Sequence, residues 1–215
     1  MTCLKESVRA TLIGDIVTSR EVHDRQELHV RLLQALHIAG RDVAATSALT
    51  ITVGDEFQGA YRHLGEALAA AFAVRLALLP QTQVRFGFGW GRTQLLDAAT
   101  GIQDGPGWWA AREAIEAAEH AARRPATRAV RTVFVAAQDD GPATGAVNAA
   151  LLCQDQLLSS LDERSTRILI HLAAGGSRTT IAAHEGISVS AVSQRIRAGG
   201  LEVILAAADE LASVR

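Results

Sequence analysis

Lysine is nearly absent from this chain: Lys5 is the only one, so its positive charge is carried almost entirely by arginine. No excess of one sign exists either. With 21 basic residues against 23 acidic ones the formal charge is -2, which excludes a global attraction to nucleic acid or anionic membrane and requires any such binding to be local. Only Cys3 and Cys153 are present, too few and too far apart for a disulfide framework or a structural zinc cluster, and two free thiols suit a reducing cytoplasm. Long apolar runs are missing as well. Ala67 to Leu79 is interrupted by Arg75 and is too short to span a bilayer, and nothing near Lys5, Glu6 and Arg9 resembles a secretion signal, so a cytoplasmic protein without membrane contact is expected.

What is present suits a folded protein. At 215 residues and 48% hydrophobic content, the chain can bury a full core and still build a second small domain. Val8 to Ile16 reads as a strand. Asp24 and Glu27 open a helix running to about Ala39, with Leu28, Leu32, Leu33 and Leu36 on one face. Leu49–Val53 and Phe57–Tyr61 flank a Gly54-Asp55-Glu56 turn and form a hairpin. Leu64 to Leu79 is a helix stopped by Pro80, and Val84 to Trp90 alternates as a strand whose glycines weaken its packing but permit something to approach closely.

The order strand, helix, strand, strand, helix, strand predicts an α+β fold: a ferredoxin-like or palm-like antiparallel sheet with helices on one face. That topology makes the first and third strands neighbours and brings the hairpin tip beside the end of the first strand. Asp15 and Asp55 are therefore expected to converge. Further on, Gln103–Gly107 is a turn, Trp108 to Ala122 a helix, Arg128 to Ala136 a strand, and Val147 to Leu161 a helix leading out of a first domain spanning residues 1–158.

Magnesium takes oxygen ligands and keeps waters, so one or two carboxylates beside a substrate phosphate suffice to hold it. Asp15 and Asp55 meet that need. Ile16, Val17, Thr18 and Ser19 offer backbone N–H groups towards a helix start, and Arg20 and Arg25 offer charge to phosphate. Glu56 is either a third ligand or a solvent-facing acid. The structural alternative is that each aspartate simply serves its own turn. The seven histidines show no zinc-ligand pairing and read as surface or half-buried residues, with His63 singled out for its place just after the hairpin.

Gly14-Asp15-Ile16-Val17 with Ser19-Arg20, Gly54-Asp55-Glu56-Phe57-Gln58-Gly59, Arg85 to Gly91, Asp104-Gly105-Pro106 and Ala111-Arg112-Glu113 together resemble the SatD family of bacterial proteins. The first domain is also distantly similar to the palm-like domain of class III nucleotide cyclases and diguanylate cyclases. That resemblance implies Asp15 and Asp55 as metal ligands, the backbone of Ile16 to Thr18 around phosphates, and Arg112 as a candidate catalytic residue. Where such cyclases place an asparagine four residues before the arginine, this chain has Trp108, a departure that speaks against cyclisation but leaves nucleotide binding intact. Trp108 and Trp109 are either base-stacking surfaces or core anchors.

Residues 159–215 read as an all-α helix-turn-helix domain: a helix capped by Asp162, a second from Ser177 to Glu185, a turn at Gly186, and a third opening on Ser188. Ile187 to Ser193 resembles the helix-turn-helix of sigma factors and LuxR-type regulators. Ser190, Ser193, Gln194, Arg195 and Arg197 are the candidate DNA-binding residues. Six arginines against six acids from Asp162 onward leave no net charge, so DNA binding would need a homodimer, or the module docks on protein instead. Taken together, the expected function is a nucleotide-responsive, magnesium-dependent DNA-binding transcriptional regulator. The alternative is an active nucleotidyl cyclase or nucleotidyltransferase using two-metal chemistry at Asp15 and Asp55.

Overall fold

Ser7–Ile16 forms strand β1, and its alternation divides the molecule. Ala10, Leu12 and Ile16 enter the main core, whereas Ile13 faces the opposite side and joins Trp108, Ala111 and Ile115. The computed structural model describes residues 7–17, 24–97, 99–138 and 141–215, the Asp42 side chain excepted.

Helix α1 (Arg25–Asp42) follows, its N-terminus fixed by Asp24, whose carboxylate accepts the Glu27 amide at 2.8 Å. Leu28, Leu32 and Leu36 are buried as expected, but Leu33 is half exposed because the apolar stripe is narrower than four leucines. β2 (Ser47–Val53) and β3 (Glu56–Tyr61) make the hairpin. α2 (Leu64–Leu78) begins just after His63, whose amide donates to Glu66 at 3.1 Å, so this histidine marks a helix start. Next come β4 (Val84–Asp97), the short β5 (Ile102–Asp104), α3 (Pro106–Ala122), β6 (Thr132–Ala136) and α4 (Thr144–Ser159).

The sheet order is β2-β3-β1-β4-β5, with β6 also beside β4. The first four strands are antiparallel neighbours in the ferredoxin-like order. Two expectations need correction. The sheet is mixed, because β6 runs parallel to β4. Nor are the helices confined to one face: α1 and α2 cover one side and α3 the other. The cause lies in β4, where Phe86 and Phe88 fill the main core while Gly87, Gly89 and Gly91 present a flat strip on the opposite face. A side chain at Gly87 would collide with the backbone of Ala111 and Ile115, and one at Gly89 with the Gly107 carbonyl, so α3 lies flush on the strand.

β6 is closed at its outer side by a side chain. Asn148 on α4 accepts the Phe134 amide and donates to the Phe134 carbonyl, both at 2.8 Å, supplying the bonds another strand would make. Beneath it, Asp155 accepts the amides of Arg131 and Thr132 at 2.7 and 2.8 Å and pairs with Arg75 at 2.7 Å.

Four helices complete the chain: α5 (Glu163–Ala173), α6 (Arg178–Glu185), α7 (Val189–Ala198) and α8 (Leu201–Ala212). Asp162, Ser177 and Ser188 cap the first three by accepting the amides of Ser165, Thr180 and Ala191. Ile168, Leu169, Ile181, Val192, Ile196, Leu201 and Ile204 form their own core, against which Phe72 and Leu76 of α2 pack. Leu211 of α8 belongs to the main core, and the Gly65 amide donates to the Val214 carbonyl at 2.8 Å. Among the described residues, no helix is long and apolar enough to cross a membrane.

Candidate functional site

The pairing of Gly14 with Phe57 puts the last residues of β1 beside the hairpin tip. Gly54, at φ 65°, makes the tight turn that carries Asp55 there. The Ile16 amide then donates to Asp55 Oδ2 at 3.2 Å, which brings Asp55 to the end of β1, near enough for its charge to be felt by Asp15. Asp15 projects on the α3 side, opposite Arg85 of β4, whose Nη1 donates to Asp15 Oδ2 at 3.0 Å. Arg85 Nη1 also lies 3.8 Å from Glu119 of α3.

Asp15 is under electrostatic pressure. Burial raises its pKa, Arg85 opposes the rise, and the neighbouring charges of Asp55, Glu119 and Glu56 add to it. Its Oδ1 is buried and has no hydrogen-bond partner among the described residues. A buried carboxylate oxygen lacking a donor, with a second carboxylate beside it, is a donor set that fits a hard divalent cation.

Glu56, the other acid of the turn, is committed elsewhere. Arg112 of α3 donates to both its oxygens, Nη1 to Oε2 at 2.7 Å and Nη2 to Oε1 at 2.8 Å. That fork lowers the Glu56 pKa, and the same contact raises that of Arg112. Arg112 is thus held at the acidic end of the sheet, close enough to Asp15 to sense its charge.

Of the residues expected around phosphate, Thr18, Ser19 and Arg20 lie outside the described residues. The Ile16 and Val17 amides are both engaged, the first by Asp55 and the second by the Gln83 carbonyl at 2.9 Å. Trp108 is a core anchor buried against Ile13 and Ala60, whereas Trp109 is 61% exposed and donates its Nε1–H to Asp104 at 2.9 Å. Sequence reasoning missed Arg85 and Glu119. Arg85 was open to detection, since it shares the α3 side of β4 with Gly87, Gly89 and Gly91.

In the C-terminal helices, Gly186 takes the left-handed conformation at φ 64° between α6 and α7. Gln194 and Arg197 of α7 are exposed, as is Ser190, whose hydroxyl lies 2.9 Å from that of Ser188. Ser193 Oγ accepts a long bond of 3.5 Å from Arg178. Arg195 turns inward: its Nη1 donates to both oxygens of Asp162, at 3.0 and 2.8 Å, and to Ser165 Oγ at 3.1 Å. This contact, more than any other, holds the Asp162 carboxyl below the usual carboxylate range.

A mixed sheet flanked by helices carries Asp15 and Asp55 where β1 ends, and that end is the candidate cation site. The chain belongs to the SatD family, whose pattern matches residues 10–213. Among solved structures it is similar to a bacterial light-regulated adenylyl cyclase, with 12% identity, a TM-score of 0.43, and 56% of this chain and 42% of that one covered. It is similar to the monomeric guanylyl cyclase domain of the RhoGC fusion protein from the aquatic fungus Blastocladiella emersonii, with 15% identity, TM-score 0.42, and coverage of 54% and 78%. The adenylate/guanylate cyclase/hydrolase from Silicibacter pomeroyi follows at 22% identity, TM-score 0.40, and coverage of 53% and 70%. The chain spans less than half the length of the light-regulated enzyme. No curated protein matches it.

Proposed function

We propose that the protein binds a nucleoside triphosphate through magnesium at Asp15 and Asp55, and that nucleotidyl transfer is the chemistry of the site. The observation that supports this reading is that Asp15 Oδ1 is buried without a donor among the described residues while Asp55, bonded to the next residue's amide, adds its charge to that of Asp15. Magnesium, when bound, would neutralise phosphate charge and polarise the reacting phosphoryl group. Arg112, held by Glu56, would meet negative charge developing there. Because Trp108 is a core residue where the related cyclases carry an asparagine, a linear product is expected ahead of a cyclic one.

A direct test incubates the protein with magnesium or manganese and each nucleoside triphosphate, then separates cyclic from linear products. Turnover abolished by Asp55→Ala supports the reading. Nucleotide binding by calorimetry without turnover would reduce the site to a sensor, and no binding at all would end both.

The second reading is a DNA-binding regulator, favoured by the left-handed turn at Gly186 joining α6 to an α7 that displays Gln194 and Arg197. In it, residues 159–215 form a helix-turn-helix domain, with Ser190 and Ser193 beside phosphate and occupancy of the palm-like domain, residues 1–158, setting its activity. Arg195, spent on Asp162, contributes to stability ahead of base contact. Val30, Leu33 and Ile38, exposed on α1, supply an apolar face that a homodimer would cover, which sedimentation would reveal.

A further inference from the structure

Two helix ends meet in the C-terminal unit where the sequence showed no metal-ligand pairing. His171 lies in the last turn of α5, and His184 with Glu185 in the last turn of α6. The imidazole centroids are 4.3 Å apart with ring planes at 58°, and one ligand atom from each of His171, His184 and Glu185 falls within 4.8 Å of the others. His184 Nδ1 is 3.7 Å from Glu185 Oε1.

Glu185 is pre-oriented. Its side chain is almost wholly covered, and Arg167 donates Nε to Oε1 at 3.0 Å and Nη2 to Oε2 at 2.8 Å. Such outer hydrogen bonds fix a ligating carboxylate in place. Of the two arginine charges that crowd it, Arg167 and Arg164, one is offset by Glu163, 3.5 Å from Arg167. His184 is exposed, so its ring is free to turn towards an ion shared with the other two, which zinc would hold at about 2.0–2.2 Å with water completing the shell.

We propose that His171, His184 and Glu185 bind a zinc-class transition-metal dication that clamps the C-terminal ends of α5 and α6. Two imidazoles and a carboxylate select a borderline ion over magnesium, which distinguishes this site from the all-oxygen pair of Asp15 and Asp55. The clamp sits immediately before Gly186 and α7, so it would fix the support from which α7 is presented.

The test uses the full, untagged chain stripped by chelator, with zinc chloride titrated by calorimetry and by thermal melting. Asp55→Ala serves as background, removing the other candidate cation site. One saturating zinc per chain and a raised Tm are expected. Binding should weaken at least about tenfold in His184→Ala and in His171→Ala and persist in His120→Ala, whose histidine lies on another helix. Because His184 is exposed, its variant folds, as circular dichroism would verify. Absence of saturable binding, or zinc affinity undiminished in the two histidine variants, overturns the proposal.

Discussion

The amide of Ile16 donates to the carboxylate of Asp55 across 3.2 Å, tying the end of β1 to the hairpin tip. Asp55 is half-buried on the turn, so its removal should leave the fold intact while weakening the cation site. Asp55→Ala is expected to unfold within about 1 kcal/mol of the parent and to lose magnesium-dependent nucleotide binding. Calorimetry with and without magnesium measures the second effect, and a variant that binds as tightly as the parent would dissociate Asp55 from the site.

Asp15 predicts a stability cost that depends on pH. Burial raises its pKa above the ordinary carboxylate value, so the folded state holds the proton more tightly than the unfolded chain does. The stability this lends is complete below the ordinary carboxylate range and is lost as pH rises through the raised value. Asp15→Asn cannot ionise and still accepts a hydrogen bond from Arg85. It should therefore gain stability over the parent as pH climbs from about 4 towards 7, and magnesium should stabilise the parent alone. Urea unfolding at both pH values reads this difference, and a variant that loses ground on the way up would contradict the account.

Much of this site was legible because its logic is local in sequence and simple in topology. Gly14-Asp15 and Gly54-Asp55 each end a strand-like run, and one strand order suffices to bring them together. The α3 face was not legible. Gly87, Gly89 and Gly91 read as flaws in a strand until a helix is laid against them, and only that helix delivers Arg112 and Glu119 to the acids. Arg195 carried the signature of a recognition helix, yet its partner Asp162 caps another helix, and a pairing between separate elements leaves no periodic trace. His171 and His184 were passed over for the same reason.

Asp155 should prove the most costly polar side chain to remove. It is 2% exposed and satisfies the amides of Arg131 and Thr132 together with Arg75, which is itself buried and lies over the Phe86 ring at 5.2 Å. Asp155→Ala strands a guanidinium and two N–H groups, at an expected cost of about 3–5 kcal/mol. Chemical denaturation would measure it, and a loss below about 1 kcal/mol would mean that water reaches the network.

The fork between Arg112 and Glu56 separates stability from activity. Both side chains are partly exposed, so their pair contributes no more than about 1 kcal/mol to folding. Arg112→Ala should therefore melt close to the parent, yet lose turnover if the arginine meets transition-state charge. Arg112→Lys keeps the charge without the fork and should recover little. Full turnover in Arg112→Ala would place the arginine outside the chemistry.

Gly65 decides whether the C-terminal helices are an appendage or part of the body. It opens α2, and a Cβ there would collide with the Ala212 carbonyl, while its amide already donates to the Val214 carbonyl at 2.8 Å. Neither contact is with a side chain that could swing aside. Gly65→Ala must push the end of α8 off α2, and with it Leu211, which completes the main core. Overpacking of this kind costs about 1–3 kcal/mol. Because α8 also supplies Leu201 and Ile204 to the second core, the disturbance should reach α5–α8 and appear as faster amide exchange there than in β1 and β4. Unchanged exchange in α8 would show the bundle to be independent of the sheet, and any coupling between cation and α7 would then need another route.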